Sequence, residues 1–387
     1  MSEHFPIAFC ENGAGYGGAI ISLTAMLPHL DECYVPVLLT ELGTEPYRKL
    51  ERFGRWRQLA PRALVDHGAL RRRRVPFASM IDNLFNVLPS ALRYFRTFRA
   101  ERVCLVYLNN DASCNFAAAF GARLAGLPLV LHARGFHGDT RVNRLVLKWA
   151  DHCIPVSNAV KEDLLRLGVP ESKCTVVPEG LNLNQFSPRP PCSTLRTELG
   201  LLPDDPVITL VGGLIDWKGQ DVLLQAAPQL FARYPRARIL LVGAAYGRDD
   251  LFARDIARQV AAPAMEGRVM LLGGRSDVAD ILALSSVVVH ASTSPEPFGR
   301  TFLEGMAVGR PVIASAEGGP LDVITHEHDG LLIPPRDPAL LASAILRILD
   351  QPGWADRMAR QAALTAERFS IEAHTAAVTD ILRRFIA

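Results

Sequence analysis

The sequence predicts an α/β chain built from two doubly wound parallel sheets. Three observations carry that prediction. Short apolar runs alternate with helical patterns from Phe5 to about Val177, the periodicity then fails across a proline-rich stretch, and a second alternating series starts at Val207. In the first series Phe5 to Cys10 reads as a strand, broken by Glu11-Asn12-Gly13-Ala14-Gly15-Tyr16-Gly17-Gly18. A helix follows, carried by Ile20, Ile21, Leu23, Met26 and Leu27. Val35 to Leu39 is the second strand. Val103 to Leu108 is the third, ending at Asn109-Asn110-Asp111, and Phe116 to Leu124 is helical. Leu129 to His132 is the fourth and closes on Ala133-Arg134-Gly135-Phe136-His137-Gly138. Ile154 to Val156 is the fifth, Ser157-Asn158 caps the next helix, and Val176-Val177 starts a sixth strand.

Prolines 188, 190, 191, 203 and 206 surround one short helix, which marks a linker. Beyond it, strands are expected at Val207–Val211, Arg238–Val242, Val269–Leu272, Ser286–His290 and Val312–Ala314. Helices are expected at Gln220–Tyr234, Leu251–Ala261 and Val278–Leu284, after Thr301, and near 338–350, 355–368 and 371–385. The expected division is a first domain over 1–186, a linker over 187–206, a second domain over 207–370 and a terminal helix over 371–387. A chain of 387 residues exceeds what one core organises, which agrees with that division. In doubly wound sheets the ligand sits in the crevice beyond the strand C-terminal ends.

Composition narrows the classes. Hydrophobic residues make up 49% and charged residues 21%, as in globular proteins with a large core. The first residues show no basic segment followed by a long apolar one, so no signal peptide is read. No run approaches the ~20 apolar residues that crossing a bilayer requires. Cysteines 10, 33, 104, 114, 153, 174 and 192 are scattered, without a C-x-x-C, and fit reduced cytosolic thiols better than a disulfide or metal framework. The expectation is a cytoplasmic protein. The net charge of +2 hides an asymmetry, because residues 45–102 hold 14 Lys or Arg against 5 Asp or Glu. There Arg71 to Arg74 and a run containing Leu92, Phe95 and Phe98 mix arginines with large apolar groups. Such a block can dock on the anionic cytoplasmic face of a membrane, or be a solvated face with those three side chains packed inward. No nucleic-acid motif accompanies the charge.

The chemistry concentrates in Ser292 to Pro311, STSPEPFGRTFLEGMAVGRP. The prolines of Pro295-Glu296-Pro297-Phe298-Gly299 end the preceding strand, and a helix with unpaired first amides begins near Thr301. Two carboxylates, Glu296 and Glu304, flank that helix start. Bare amides and two fixed acceptors can grip a phosphate and a polyol. Lys218, after Val211-Gly212-Gly213, is placed to neutralise a departing diphosphate, although a surface lysine before a helix would look similar. His132 and His137 flank Arg134 at the end of a strand, where backbone-bonded loop histidines are the plainer alternative. His290, within a strand, reads as structural. No Asp-x-Asp stands at a strand end, and neither Asp66 and His67 nor the HEHD at 326–329 has spacing that suggests a metal.

The segment PEPFGRTFLEGMAVGRPVIAS, with a seven-residue gap between Glu296 and Glu304, resembles the signature of retaining family 4 glycosyltransferases of GT-B fold. The resemblance continues through Glu317-Gly318-Gly319-Pro320 and Gly330-Leu331-Leu332-Ile333-Pro334-Pro335-Arg336-Asp337. It extends back to Val211-Gly212-Gly213-Leu214, Trp217-Lys218-Gly219 and Val177-Pro178-Glu179-Gly180-Leu181-Asn182. It implies two Rossmann-like domains facing each other across a cleft, with the last helix, 371–387, packed back on the first domain. It implies a nucleotide-diphosphate sugar donor, a saccharide or lipid-linked acceptor, retained configuration by front-face attack, and neither metal nor cofactor. Glu304 would accept the ribose hydroxyls, and Glu296 would contact the sugar or its oxocarbenium-like centre. Pro297 and the amides of Phe298, Gly299, Arg300 and Thr301 would face the sugar or phosphate. Gly15, Gly17 and Gly18 would approach the diphosphate from the first domain. His132, Arg134 and His137 would lie toward sugar or acceptor, and Gly243, Gly274 and Arg275 toward the base.

One departure stands out. Gly213 occupies the position where the family normally has an arginine, and Arg300 or Arg134 is the candidate substitute cation. Three other readings remain open at this point. A GT-B sugar-nucleotide epimerase would act on the donor alone. A binding protein that lost activity would fit Gly213. A dinucleotide enzyme is formally allowed by Gly13-x-Gly15-x-x-Gly18 with Glu41 at the next strand end.

Overall fold

The computed structural model describes residues 4–13, 17–59, 83–245 and 250–386. The chain divides into two compact units, Met1–Gly180 with Ile371–Ala387, and Leu181–Ser370. Each unit holds one six-stranded sheet whose neighbouring strands are all parallel. Parallel neighbours need crossover connections, and helices supply them.

In the first unit the strands are β1 (Phe5–Glu11), β2 (Tyr34–Thr40), β3 (Arg55–Gln58), β4 (Leu105–Asn109), β5 (Leu129–Ala133) and β6 (His152–Pro155), in spatial order β3-β2-β1-β4-β5-β6. Every residue of β4, β5 and β6 is buried, as expected for strands covered on both faces. Val176-Val177 does not form the sixth strand. The 174–177 segment runs beside β6 with two amide bonds, Thr175 to the Cys153 carbonyl at 3.1 Å and Val177 to that of Pro155 at 3.0 Å, and makes only one bridge. The actual sixth strand, β3, lies at the opposite edge. Its Arg55, Arg57 and Gln58 are exposed, and only Trp56 reaches inward, donating Nε1 to Thr40 Oγ1 at 3.0 Å. An edge strand of that composition has no apolar pattern to read.

The helix Ile371–Arg383 belongs to this unit, where Ile371, Val378, Ile381 and Leu382 join the core of Ile7, Ile20, Leu23 and Leu38. Helix Arg141–Trp149, not anticipated from sequence, is capped by Thr140, whose Oγ1 accepts from the Asn143 amide at 3.1 Å. Of the basic block, residues 60–82, including Arg71 to Arg74, lie outside the described residues. The described helix Leu88–Ala100 divides the earlier alternatives: Ala91, Tyr94 and Phe98 are buried, while Leu92, Arg96 and Arg99 face outward, and Leu84 and Phe85 are exposed just before it.

In the second unit β7 (Val207–Val211), β8 (Arg238–Val242), β9 (Val269–Gly273), β10 (Val287–His290), β11 (Val312–Ser315) and β12 (Leu331–Ile333) take the order β12-β11-β10-β7-β8-β9. β10 is therefore central, with β7 on one side and β11 on the other. The sixth strand, β12, is only three residues long and was not read as a strand from its sequence. No helix among the described residues is long and apolar enough to cross a membrane.

One packing contact separates propensity from tertiary constraint. A Cβ at Gly121 would come within 2.7 Å of the Tyr94 Cβ and 2.9 Å of the Ala91 carbonyl, so Gly121 sets the approach of helices Leu88–Ala100 and Phe116–Ala125. Alanine is the better helix former by roughly 1 kcal/mol. The fixed backbone in its way makes overpacking win, and Gly121→Ala should destabilise by about 1–3 kcal/mol. A denaturant midpoint equal to or above that of the parent would show the helices free to separate.

Candidate functional site

In the second unit the chemistry gathers at the C-terminal ends of β7 and β10. After β7, the turn at Trp217-Lys218-Gly219 is fixed against the segment after β10. Gly219 has φ +77°, and a Cβ there would lie 1.9 Å from the Ala291 carbonyl oxygen. The Thr293 amide donates to the Trp217 carbonyl at 2.8 Å. This lock brings Lys218 Nζ to 3.0 and 2.8 Å from the two oxygens of Glu296 and 4.0 Å from the Trp217 ring centroid. The same carboxylate also accepts from Ser292 Oγ at 3.0 Å and lies 3.2 Å from His290 Nε2.

Glu296 is 8% exposed. Burial acts to raise its pKa, but the His290 hydrogen bond and the Lys218 charge outweigh it, lowering the pKa from 4.5 to about 2. The backbone around Glu296 is equally constrained. Its carbonyl accepts from the Gly319 amide at 2.9 Å, and a Cβ on Gly318 or Gly319 would strike the Glu296 or Phe298 carbonyl oxygen at 2.1 or 2.2 Å. These contacts give Glu317-Gly318-Gly319-Pro320 a physical role: only bare backbone can come so close to the loop.

The helix Arg300–Ala307 starts from Gly299, at φ +93°, with no side chain capping its amides. Gln220–Arg233 likewise starts from Gly219, and Gly18–Met26 in the first unit from Gly17, both without a side-chain cap. By contrast Thr140, Ser157, Asp250 and Asp337 cap the helices that follow them. The glycine-led helices thus keep donors and a positive dipole end available to an anion. Glu304 is buried; burial raises its pKa, opposed by Arg300 at 3.7 Å. Phe298 is buried against Phe302 and Phe369. Pro297, Arg300 and Thr301 are partly exposed. The Gly213 carbonyl accepts from Gln220 Nε2 at 2.9 Å. Arg275 is engaged with Asp277 at 2.8 and 2.7 Å and with Glu198 at 3.0 Å.

In the first unit Gly15 lies outside the described residues, and nothing stands within 4 Å of a Cβ built on Gly17 or Gly18. The loop before them is held by side chains. Glu11 accepts from the Gly13 amide at 3.0 Å and from Asn109, while Asn12 accepts from the Glu41 amide at 2.9 Å and donates to Tyr94 and Asn115.

The three residues named at the end of β5 are not surface groups. His132 is 0% exposed, bonded through Nδ1 to the Tyr107 hydroxyl and stacked on His374 at 5.5 Å. Burial, then Arg134 and His374, pushes its pKa far down and keeps it neutral. Arg134 donates to Glu179 at 2.6 Å and Asn109 at 2.7 Å, so its charge is balanced inside the fold. His137 accepts from the Ala112 amide at 3.3 Å, and its own amide donates to Asp163 at 2.7 Å. Sequence reading missed Glu11, Asn109 and His374, and took His290 as structural. A strand-terminal acid beside glycines was the one available signal for Glu11. Among the described residues no group of three or more His, Cys, Asp or Glu could hold a metal ion.

The buried Arg134–Glu179 pair yields a test. Removing one partner strands the other charge, so Glu179→Gln should cost about 3–5 kcal/mol in denaturant unfolding. A loss below 1 kcal/mol would mean that water reaches Arg134.

Comparison with known proteins places the chain. The model described as glycosyl transferases group 1 matches residues 205–351, and the glycosyl transferase 4-like domain matches 17–180. A D-inositol 3-phosphate glycosyltransferase of Kineococcus radiotolerans is 30% identical over 256 residues, covering 62% of this chain and 59% of that protein. The aligned chain therefore spans less than two thirds of that relative. Anabaena HepE, in complex with UDP and glucose, matches with a TM-score of 0.83 at 24% identity, over 98% of this chain and 100% of that one. A Rickettsia africae glycosyltransferase matches with a TM-score of 0.83 at 20% identity, over 99% and 98%. At such identities the structures establish the fold. With both halves matched by glycosyltransferase models and the two-sheet GT-B architecture throughout, the chain belongs to the glycosyltransferases of this group.

Proposed function

We propose that the chain transfers a sugar from a nucleoside diphosphate sugar to an acceptor hydroxyl with retention of configuration. The observation that carries this reading is the Lys218–Glu296 pair set beside a helix start that no side chain caps, because it joins a cation on a flexible stem and an ionised acceptor to a positive dipole end. The amides of 299–301 and the Lys218 ammonium meet the charge that grows on the leaving diphosphate. Glu296 takes a sugar hydroxyl or faces positive charge at the anomeric carbon. Glu304, held toward its neutral form, meets the ribose hydroxyls. Arg300, at the same helix start, supplies the second positive charge that Gly213 lacks. Arg134, tied to Glu179, is less suited to that task. A front-face route needs no covalent nucleophile, and positioning and electrostatics carry the rate. The donor tested first is a UDP sugar, since the Anabaena relative of the same fold was solved with UDP and glucose.

For the acceptor we infer a lipid-linked or cell-surface saccharide. Exposed Leu84, Phe85 and Leu92 share the 83–100 segment with exposed Arg96 and Arg99, a mixture suited to an anionic interface. Charge and apolar contact together give binding that weakens with salt.

Two measurements test these readings. In a thermal-shift panel of UDP, GDP and ADP sugars, one nucleotide class should raise the midpoint, and Lys218→Ala should abolish the rise. No shift with any member, or product formed from donor without acceptor, would remove the transferase reading, the latter in favour of an epimerase. In vesicle sedimentation, 30% anionic lipid should pull down the protein at low salt and release it at high salt, while Phe85→Ser with Arg96→Ala should lose most binding. Equal sedimentation with neutral vesicles would refute the interfacial surface.

A further inference from the structure

We propose that His290 is a positioning residue for Glu296: with Ser292 it anchors Oε2, leaving Oε1 for the donor sugar and letting Lys218 turn to the diphosphate. The proposal deepens the donor-site reading above and rests on it. Its basis is an asymmetry between the two carboxylate oxygens. Oε2 has three neighbours that can donate, Lys218 Nζ at 2.8 Å, Ser292 Oγ at 3.0 Å and His290 Nε2 at 3.2 Å. Among the described residues Oε1 has Lys218 Nζ alone, at 3.0 Å. Each oxygen has two lone pairs, so Oε2 is saturated and Oε1 is not.

The proton of the His290 contact has to sit on Nε2, because an ionised carboxylate only accepts. His290 Nδ1 is buried without a hydrogen-bond partner. An N–H there would be a buried donor with nothing to receive it, so the hydrogen bond to Glu296 is made by an Nε2–H. The ring is further fixed by an edge contact with Phe302, at 5.6 Å and 79°. His290 thus brings one directed donor on a rigid central strand.

Lys218 differs in kind. It is a point charge on a flexible stem, on a turn, with 18% of its side chain exposed. If it were the sole partner, its departure toward a phosphate would leave a buried carboxylate unpaired, and that group would take up a proton. The charged and titratable groups facing Glu296 are Lys218, from the turn after β7, and His290, from β10. Ser292, just past β10, is neutral. His290 and Ser292 therefore keep Glu296 ionised and aimed while the lysine is occupied.

The test uses full-length His290→Leu, His290→Gln, which retains a donor, and Ser292→Ala. Without ligand, 13C-carboxyl NMR, with Glu296→Gln identifying the resonance, should show Glu296 ionised at about pH 4 in the parent. The carboxyl midpoint should move upward in His290→Leu and by less in His290→Gln. With donor and acceptor, His290→Leu should lower kcat about 100-fold, change KM little, and move the acid limb of the kcat profile upward. His290→Gln should recover most of the rate. An unmoved carboxyl midpoint, or a loss confined to KM, would overturn the proposal. Should His290→Leu fail to fold, the Gln and Ser292→Ala titrations decide it. If the parent binds no donor at all, the transfer reading falls, and the ligand-free titration still judges the anchoring.

Discussion

A carboxylate stripped of water stays charged only where donors replace the water it lost, and in the second unit that requirement falls on Glu296. Burial pushes it toward protonation, and Lys218, His290 and Ser292 reverse the balance. Those three residues come from the turn after β7, the end of β10 and the segment beyond it. Meeting the electrostatic need of one side chain therefore fixes how two adjacent strand ends and their loops are arranged. Gly219 and the Gly318-Gly319 pair exist in that arrangement because no Cβ fits where they touch the neighbouring backbone.

Helix starts differ in how their first amides are met. Thr140, Ser157, Asp250 and Asp337 cap theirs with a side chain, while Leu88–Ala100, Phe116–Ala125, Val278–Leu284 and Pro352–Glu367 start without one. Where a glycine leads, at 17, 219 and 299, those amides have no side-chain cap. A glycine in place of such a cap forgoes only roughly a few tenths of a kcal/mol at each helix. That stability is given up on the helices that follow the glycine loops and the 296–299 segment, which is the pattern expected of anion-binding ends.

The first unit solves a related problem differently. At the ends of β1, β4 and β5, Glu11, Asn109, Arg134, Glu179 and His132 form a buried polar chain in which each charge has a partner. Such a chain is unforgiving, since losing one member strands the next. It holds the loop at 12–13 through Glu11 and Asn109, and it ties the terminal helix in through His374, whose Nδ1 meets the Pro178 carbonyl at 2.6 Å.

By itself the sequence determined the alternation of strand and helix, the split into two sheets, and the loop that carries Glu296 and Glu304. Apolar periodicity and proline or glycine breaks are local, so they survive in one dimension. Tertiary structure alone decided that β3 is the edge strand, because Arg55 and Arg57 carry no apolar signal there. It also decided that His132 and Arg134 lie inside the fold, and that His290 meets Glu296 instead of merely filling β10. Burial and pairing depend on which distant segments come together, Glu179 on Arg134 or Lys218 on Glu296, and no spacing along the chain records that.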